Sequence, residues 1–150
     1  MKLFEFEAKR IIKEYGLAVP EGRVATSPAD AAEAATEIGR PVAVKAQVLV
    51  SGRGKAGGIL FAAGAEEARQ AASSLIGHTI KGISVDRVLV EEQLDITREW
   101  YASVAIDARA KSYVALGSTV GGVDIESTAA SHPDRVARRW FNAALGTSSK

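Results

Sequence analysis

Four glycines, Gly52, Gly54, Gly57 and Gly58, crowd between two apolar, β-favouring runs in the stretch VAVKAQVLVSGRGKAGGILFA at 42–62. Glycine lets the backbone turn tightly and come close to a neighbour without a Cβ in the way. Lys45, Arg53 and Lys55 bring positive charge to the same place. The segment therefore reads as a grip for phosphate. Gly52-x-Gly54-x-x-Gly57 has the form of a dinucleotide fingerprint, but that motif needs a strand before the glycines and a helix after them. Here Gly58-Ile59-Leu60-Phe61-Ala62 is apolar and β-favouring, which makes the loop a connection between two strands of a hairpin. A Walker A loop fails as well. Counting back from Gly54-Lys55, its first glycine falls at Leu49, and Ala56 stands where Ser or Thr should bind magnesium. What remains is a glycine flap between strands, the arrangement that covers nucleotide phosphates in kinase-like sites. The alternative is a solvated hairpin carrying basic side chains.

Size and charge narrow the class. A chain of 150 residues is long enough for one domain that buries roughly two-thirds of its unfolded surface. With 19 basic against 18 acidic residues, nothing global points to nucleic acid or an acidic membrane as partner. No run approaches the roughly 18 apolar residues of a bilayer span, and the opening residues lack the apolar core of a signal peptide. Cysteine is absent, which excludes disulfides, thiol nucleophiles and thiolate metal sites. These features fit a cytoplasmic protein.

Along the chain, helical and β patterns mix. Phe4, Ala8, Ile11, Ile12 and Tyr15 recur at helical spacing, so a helix is expected over 5–15, with Gly16 at its carboxyl end. A short β segment follows at 23–26. Ser27-Pro28 reads as N-cap and first helical residue of an alanine-rich helix that closes at Gly39. A further helix is expected over 65–75, ended by Gly77. From Ser84 onward the chain turns β, with strands at 86–93, 99–107 and 112–119 and a hairpin connection at 108–111. Helices and strands in this order make an α+β domain rather than a regular parallel sheet. Residues 146–150 are small and polar and are expected to fray.

A second constellation lies at 88–99, where an apolar strand runs directly into acids. Glu91 and Glu99 flank a non-periodic stretch that reads as strand, hinge, strand. Such a hinge presents backbone groups to a purine edge, with an acid at its far end for ribose hydroxyls. Glu92 and Asp95 read instead as solvated acids on a polar turn.

With lysine strand, glycine flap and acidic hinge in this order, the chain resembles the β-subunit family of succinyl-CoA synthetases, and more broadly the ATP-grasp half of ADP-forming acid–CoA ligases. The resemblance rests on Met1-Lys2-Leu3-Phe4-Glu5-Phe6-Glu7-Ala8-Lys9 with Tyr15-Gly16-Leu17-Ala18-Val19-Pro20, and on Val44-Lys45-Ala46-Gln47-Val48 before Gly52-Arg53-Gly54-Lys55-Ala56-Gly57-Gly58. Val90-Glu91 through Arg98-Glu99, and the glycine turn Ser118-Thr119-Val120-Gly121-Gly122-Val123-Asp124-Ile125-Glu126, extend it. It implies an ATP-grasp-type fold of mixed sheets with flanking helices, incomplete at the carboxyl end, so that 1–150 is the amino-terminal portion of an ATP-grasp domain.

The roles it implies are nucleotide-binding ones. Lys45 reaches the phosphates as a point charge, and the backbone N–H groups of Gly52, Arg53 and Gly54 close over them. Glu91 offers main chain to the adenine, Leu94 adds a hinge contact, and Glu99 holds the ribose. The whole enzyme is implied to be a carbon–sulfur ligase. With ATP or GTP and Mg2+ it forms an acyl phosphate from succinate, passes phosphate through a histidine on a partner α subunit, and joins the acyl group to CoA. The magnesium ligands and the CoA-ligase part are implied to lie outside this chain, so the chain alone is expected to bind nucleotide weakly and to catalyse nothing. Neither His78 nor His132 inherits the phosphohistidine role; both read as loop residues. Val120 departs from the acid often found before this Gly-Gly, which leaves malate–CoA ligase and an ADP-forming acetyl-CoA synthetase subunit as alternatives.

A non-catalytic interaction module is the competing class. Arg135, Arg138 and Arg139 would share one face of a helix by spacing, a basic patch for nucleic acid; a separate use of the same tail is docking to a partner subunit, with Trp140 and Phe141 as apolar anchors. Balanced charge and the lack of aromatics among the basic residues speak against nucleic acid.

Overall fold

The computed structural model describes residues 2–121 and 133–142. The chain divides into two compact units, Met1–Asp95 and Ile96–Lys150. Of the sequence features above, residues 122–126 of the second glycine turn, His132 and residues 146–150 lie outside the described residues.

In the first unit, α1 (Glu5–Glu14), β1 (Gly22–Ala25), α2 (Pro28–Ile38), β2 (Val42–Ala46), β3 (Ile59–Ala62), α3 (Ala65–Leu75), β4 (Thr79–Ile80), β5 (Ile83–Ser84) and β6 (Val88–Glu92) follow in order. Four strands form an antiparallel sheet in the order β1-β6-β2-β3. The glycine loop does join two strands as a hairpin, since β2 and β3 are neighbours.

Local chemistry explains the helices. At Ser27 the side chain accepts from the Asp30 N–H at 3.1 Å while Asp30 accepts from the Ser27 N–H at 3.1 Å, a reciprocal cap that opens α2 before Pro28. Gly39 closes it in the left-handed region at φ 68°. Alanines 31, 34 and 35 of α2 and 68 and 72 of α3 are buried with Val42, Val44, Ala46, Val88 and Val90 of the sheet. Small side chains let the two helices lie close to each other and to the strands, and the valines supply most of the apolar area.

Strand side chains alternate between faces. With Val42, Val44 and Ala46 turned to α2 and α3, Ala43 and Lys45 turn to the other face, and Leu89 and Glu91 of β6 turn with them. The register sets Lys45 opposite Leu89 and Ala43 opposite Glu91, so Lys45 and Glu91 are diagonal neighbours on that face. Helix α1 meets it through Glu5 and Lys9. Its apolar stripe is not buried: Ile11, Ile12 and Tyr15 are exposed.

The second unit is a three-stranded antiparallel meander, β7 (Tyr101–Asp107), β8 (Ser112–Ser118) and β9 (Val136–Phe141), with a 3-10 turn at Pro133–Arg135. Asp107 accepts from the N–H groups of Arg109 and Ala110 at 3.0 Å and from the indole of Trp140 at 2.8 Å, which shapes the 108–111 turn and ties β9 to it. The helix expected to carry Arg135, Arg138 and Arg139 is therefore corrected. Arg135 ends the 3-10 turn, and Arg138 and Arg139 are successive residues of β9 that point to opposite faces. The basic helix face does not exist, because pairing with β8 outcompetes local helix spacing. Trp140 is half exposed, and Phe141 stacks on Tyr113 with ring centroids 5.8 Å apart.

Candidate functional site

On the strand face away from α2 and α3, the diagonal pair Lys45 and Glu91 forms a short ion pair. Glu91 is nearly sealed, with 3% of its side chain exposed. Lys9 of α1 reaches the other oxygen of the same carboxylate. One helical turn earlier, Glu5 sits 3.0 Å from Lys9, 3.4 Å from Lys45, and in close contact with the guanidinium of Arg53. Glu5 and Lys9 meet because residues four apart share a helix face. Buried Gln47 completes the cluster: its amide donates to the Lys45 carbonyl at 3.0 Å and lies 3.5 Å from Glu5, and its oxygen accepts from the Phe6 N–H at 3.3 Å.

Three cations, Lys9, Lys45 and Arg53, here face two carboxylates, Glu5 and Glu91. Burial pushes the Glu5 carboxyl up, but Lys45, Arg53 and Lys9 outweigh it and hold the group down to about 2 from its ordinary 4.5. Burial likewise pushes Lys9 down, and its hydrogen bonds to Glu91 and Glu5 reverse the sign, so its pKa is raised.

Gly52, with φ 70°, and Gly57, with φ 78°, carry the turns of the glycine loop. The N–H groups of Ala56, Gly57 and Gly58 donate to carbonyls of residues 52–54 at 2.8–3.3 Å. Among the described residues the N–H groups of Gly52, Arg53 and Gly54 donate to no backbone carbonyl. Gly58 is buried where a Cβ would stand 2.8 Å from Ile80 and 3.0 Å from the Arg53 carbonyl. The β4–β5 hairpin, which the sequence pattern did not reveal, braces the loop from outside. Lys81 donates to the Ser51 carbonyl at 2.8 Å, and Ile80 packs on Gly58.

Two open cavities flank the cluster. One, of about 570 Å³, lies between α1 and the β1–β6 edge and is lined by Phe6, Lys9, Pro20, Gly22 and Glu91 among others. The other, of about 340 Å³, is lined by Leu3, Glu5, Val50, Ser51 and Arg53 among others. The chain of ion pairs Glu91–Lys9–Glu5–Arg53 thus runs from the wall of the first to the wall of the second.

The sequence-selected residues separate into three groups. Lys45, Arg53 and Glu91 come together, with Gly52 and Gly54 beside Arg53 in the loop. Leu94 stands two residues past β6 in the exposed 93–95 segment, whose start is fixed by the Gln93 N–H on the Pro41 carbonyl at 2.8 Å. Glu99 lies in the second unit, where its carbonyl accepts from the Gly121 N–H at 2.9 Å. Glu91 occupies an interior strand, opposite Gly22 on one side and Ala43 on the other, so its carboxylate is what it brings to this cluster. Glu92, read as solvated, is half-buried and bonded to Arg40 at 2.6 Å and to the Glu21 N–H at 3.0 Å. Sequence reasoning missed Glu5, Lys9 and Gln47. The i, i+4 spacing of Glu5 and Lys9 was visible, but their partners across the sheet were not.

Chemically, the cluster sets the Lys45 ammonium and the Arg53 guanidinium beside the glycine loop, both in contact with Glu5. Among the described residues no three His, Cys, Asp or Glu side chains are grouped to hold a metal ion, and both carboxylates of the cluster already face lysines. No helix of the described residues is long and apolar enough to cross a membrane.

Comparison with known proteins gives a consistent set of relatives. The family described as ATP-grasp domain matches residues 2–150. A succinate–CoA ligase [ADP-forming] subunit beta from Natronomonas pharaonis is 51% identical over 110 residues, covering 73% of this chain and 29% of the relative. A succinate–CoA ligase [GDP-forming] subunit beta from Thermus thermophilus is 48% identical over 111 residues, covering 74% and 29%. The chain therefore spans less than a third of these relatives. Among solved structures, a dinucleotide-forming acetyl-coenzyme A synthetase 1 from Ca. Korarchaeum cryptofilum matches with a TM-score of 0.68 at 26% identity, over 93% of this chain and 59% of that one.

Proposed function

The chain belongs to the ATP-grasp domain family, and from that membership we propose that its first unit grips the phosphates of a nucleoside triphosphate for an acid–CoA ligase. The observation that carries the reading is the convergence of Lys45 and Arg53 beside a glycine loop whose Gly52, Arg53 and Gly54 N–H groups are not used by the loop's own turns. Oriented backbone N–H groups with an ammonium and a guanidinium are what phosphoryl oxygens require, and electrostatic clamping is most of what a protein does for phosphoryl transfer. In this reading the Glu91 carboxylate sets the position of Lys45, while the main chain at Glu91, with Leu94, serves the base.

The succinate–CoA ligase beta relatives support succinate and CoA as co-substrates of the complete enzyme; relay of phosphate through a histidine of an α subunit belongs to the same proposal. The acetyl-coenzyme A synthetase neighbour keeps other small carboxylic acids as the second reading, separable by testing acids with the assembled complex. Mg2+ would accompany the nucleotide, but the described residues offer no ligand set that fits it. The chain's own part is to bind and orient phosphate.

The test is calorimetric titration of the chain with ADP and magnesium, beside Lys45→Ala. Binding in the micromolar to millimolar range that weakens at least several-fold in the variant is expected. Unchanged affinity in Lys45→Ala would overturn the phosphate assignment, and turnover by the pure chain would overturn its role as a binding portion.

A further inference from the structure

We propose that Glu5 is an internal stand-in for the nucleotide phosphates: its carboxylate occupies Lys45 and Arg53 when no nucleotide is bound, and is displaced when phosphate arrives. The inference rests on the nucleotide reading above and adds a competitor that belongs to the chain itself.

The two carboxylates of the cluster are not equivalent. Glu91 is held by Lys9 and Lys45 on an interior strand with 3% of its side chain exposed. It has nowhere to go, and removing its partners would strand a buried charge. Glu5 is 22% exposed and lies in the first turn of α1, whose residues are nowhere fully buried. It faces the Arg53 side, where it lines the 340 Å³ cavity together with Ser51 and Arg53. An anion entering that cavity meets the Glu5 carboxylate already seated on the guanidinium.

Release of Glu5 is cheap for a specific reason. Lys9 lies 3.0 Å from it on the same helix face, so on leaving Lys45 and Arg53 the carboxylate keeps one cation. Lys45 in turn keeps Glu91 as counterion. The exchange thus replaces one anion by another on Arg53 and Lys45 and leaves no ion unpaired. The pairs of Glu5 with Lys45 and Arg53 must break for phosphate to enter, so the internal anion should weaken phosphate binding by about fivefold.

The experiment uses calorimetry with MgADP and, separately, inorganic tripolyphosphate, on the chain, Glu5→Gln, Arg53→Gln and the double variant, with a thermal melt of each. Glu5→Gln should melt lower, because it loses ion pairs, yet bind both anions about fivefold tighter. The gain should vanish in the Arg53→Gln background. A purely structural role for Glu5 predicts the same loss of stability but with weaker or equal binding. Should Glu5→Gln fail to fold, Glu5→Asp, one methylene shorter, should still bind more tightly than the chain itself. Equal binding by the chain and its Glu5 variants, with Lys45→Ala still weakened, overturns the stand-in and leaves the nucleotide reading intact. No uptake of either anion by any folded variant overturns both.

Discussion

Removing both lysines that face Glu91 should cost far more than removing each in turn. Its carboxylate, 3% exposed, is shared between Lys9 and Lys45. In Lys9→Met, Lys45 still neutralises Glu91, and in Lys45→Met, Lys9 does. Each methionine also keeps the stem's packing, so each single change should cost about 1 kcal/mol. In the double variant Glu91 is left buried without a cation on an interior strand, a loss of about 3–5 kcal/mol. The coupling is therefore about 1–3 kcal/mol, well beyond the additivity expected of independent sites. Urea unfolding followed by circular dichroism at pH 7 measures all four chains. A third substitution supplies the control: Glu91→Gln added to the double variant removes the stranded charge and should recover most of the loss, because a charge network replaced as a whole is often neutral. Costs that add within about 0.5 kcal/mol, or no recovery by Glu91→Gln, would refute the shared-counterion account.

Three further outcomes follow from the same geometry. Glu5, held at about 2 against an ordinary 4.5, contributes stability that is present above pH 4.5 and is lost as pH falls toward 2. The full shift corresponds to about 3 kcal/mol, reduced by solvent screening to about 1–2 kcal/mol, and pH-dependent melts of Glu5→Gln should lack this component. Gly58→Ala would set a methyl 2.8 Å from Ile80 and 3.0 Å from the Arg53 carbonyl, destabilising by about 1–3 kcal/mol in urea unfolding. Ser27→Ala removes the acceptor for the Asp30 N–H at the start of α2, and should cost about 1 kcal/mol by the same measurement.

What could be read from sequence, and what could not, follows from the range of the interactions involved. Ser27-Pro28 and Gly39 bound α2 because caps act within a few residues, and the glycine hairpin was readable because β-favouring runs flank it directly. The pairing of β1 with β6 is not local: Gly22 meets Glu91 across the sheet, and no pattern within either segment announces it. The cluster inherits that blindness. Lys45 and Arg53 stood out through the loop beside them, whereas Glu5 and Lys9 looked like an ordinary helical pair until α1 was placed on the sheet. The four residues of β4 and β5 are too few to show a period, so the hairpin that props the glycine loop escaped notice. Arg135, Arg138 and Arg139 show the reverse error. Their spacing suited a helix, but Val136, Arg138 and Trp140 pair with Ser118, Leu116 and Val114 of β8, and non-local pairing decided the conformation.

The two faces of the first sheet also argue about purpose. The face toward α2 and α3 is closed by alanine and valine, side chains that pack densely and ask for no partners. The opposite face holds Lys45, Glu91, Gln47, Glu5 and Lys9, each of which must be matched to another to be tolerated. A fold selected for stability alone would fill that face with apolar side chains of similar volume, since a buried ionic network is often no better than its hydrophobic replacement. The helix side already supplies a continuous apolar core, so the charges are not what closes the sheet. They cost desolvation and specify one geometry: an ammonium and a guanidinium held beside loop N–H groups that the loop's own turns do not use. On the proposed reading, that geometry serves an anion that takes the place of the carboxylate already there.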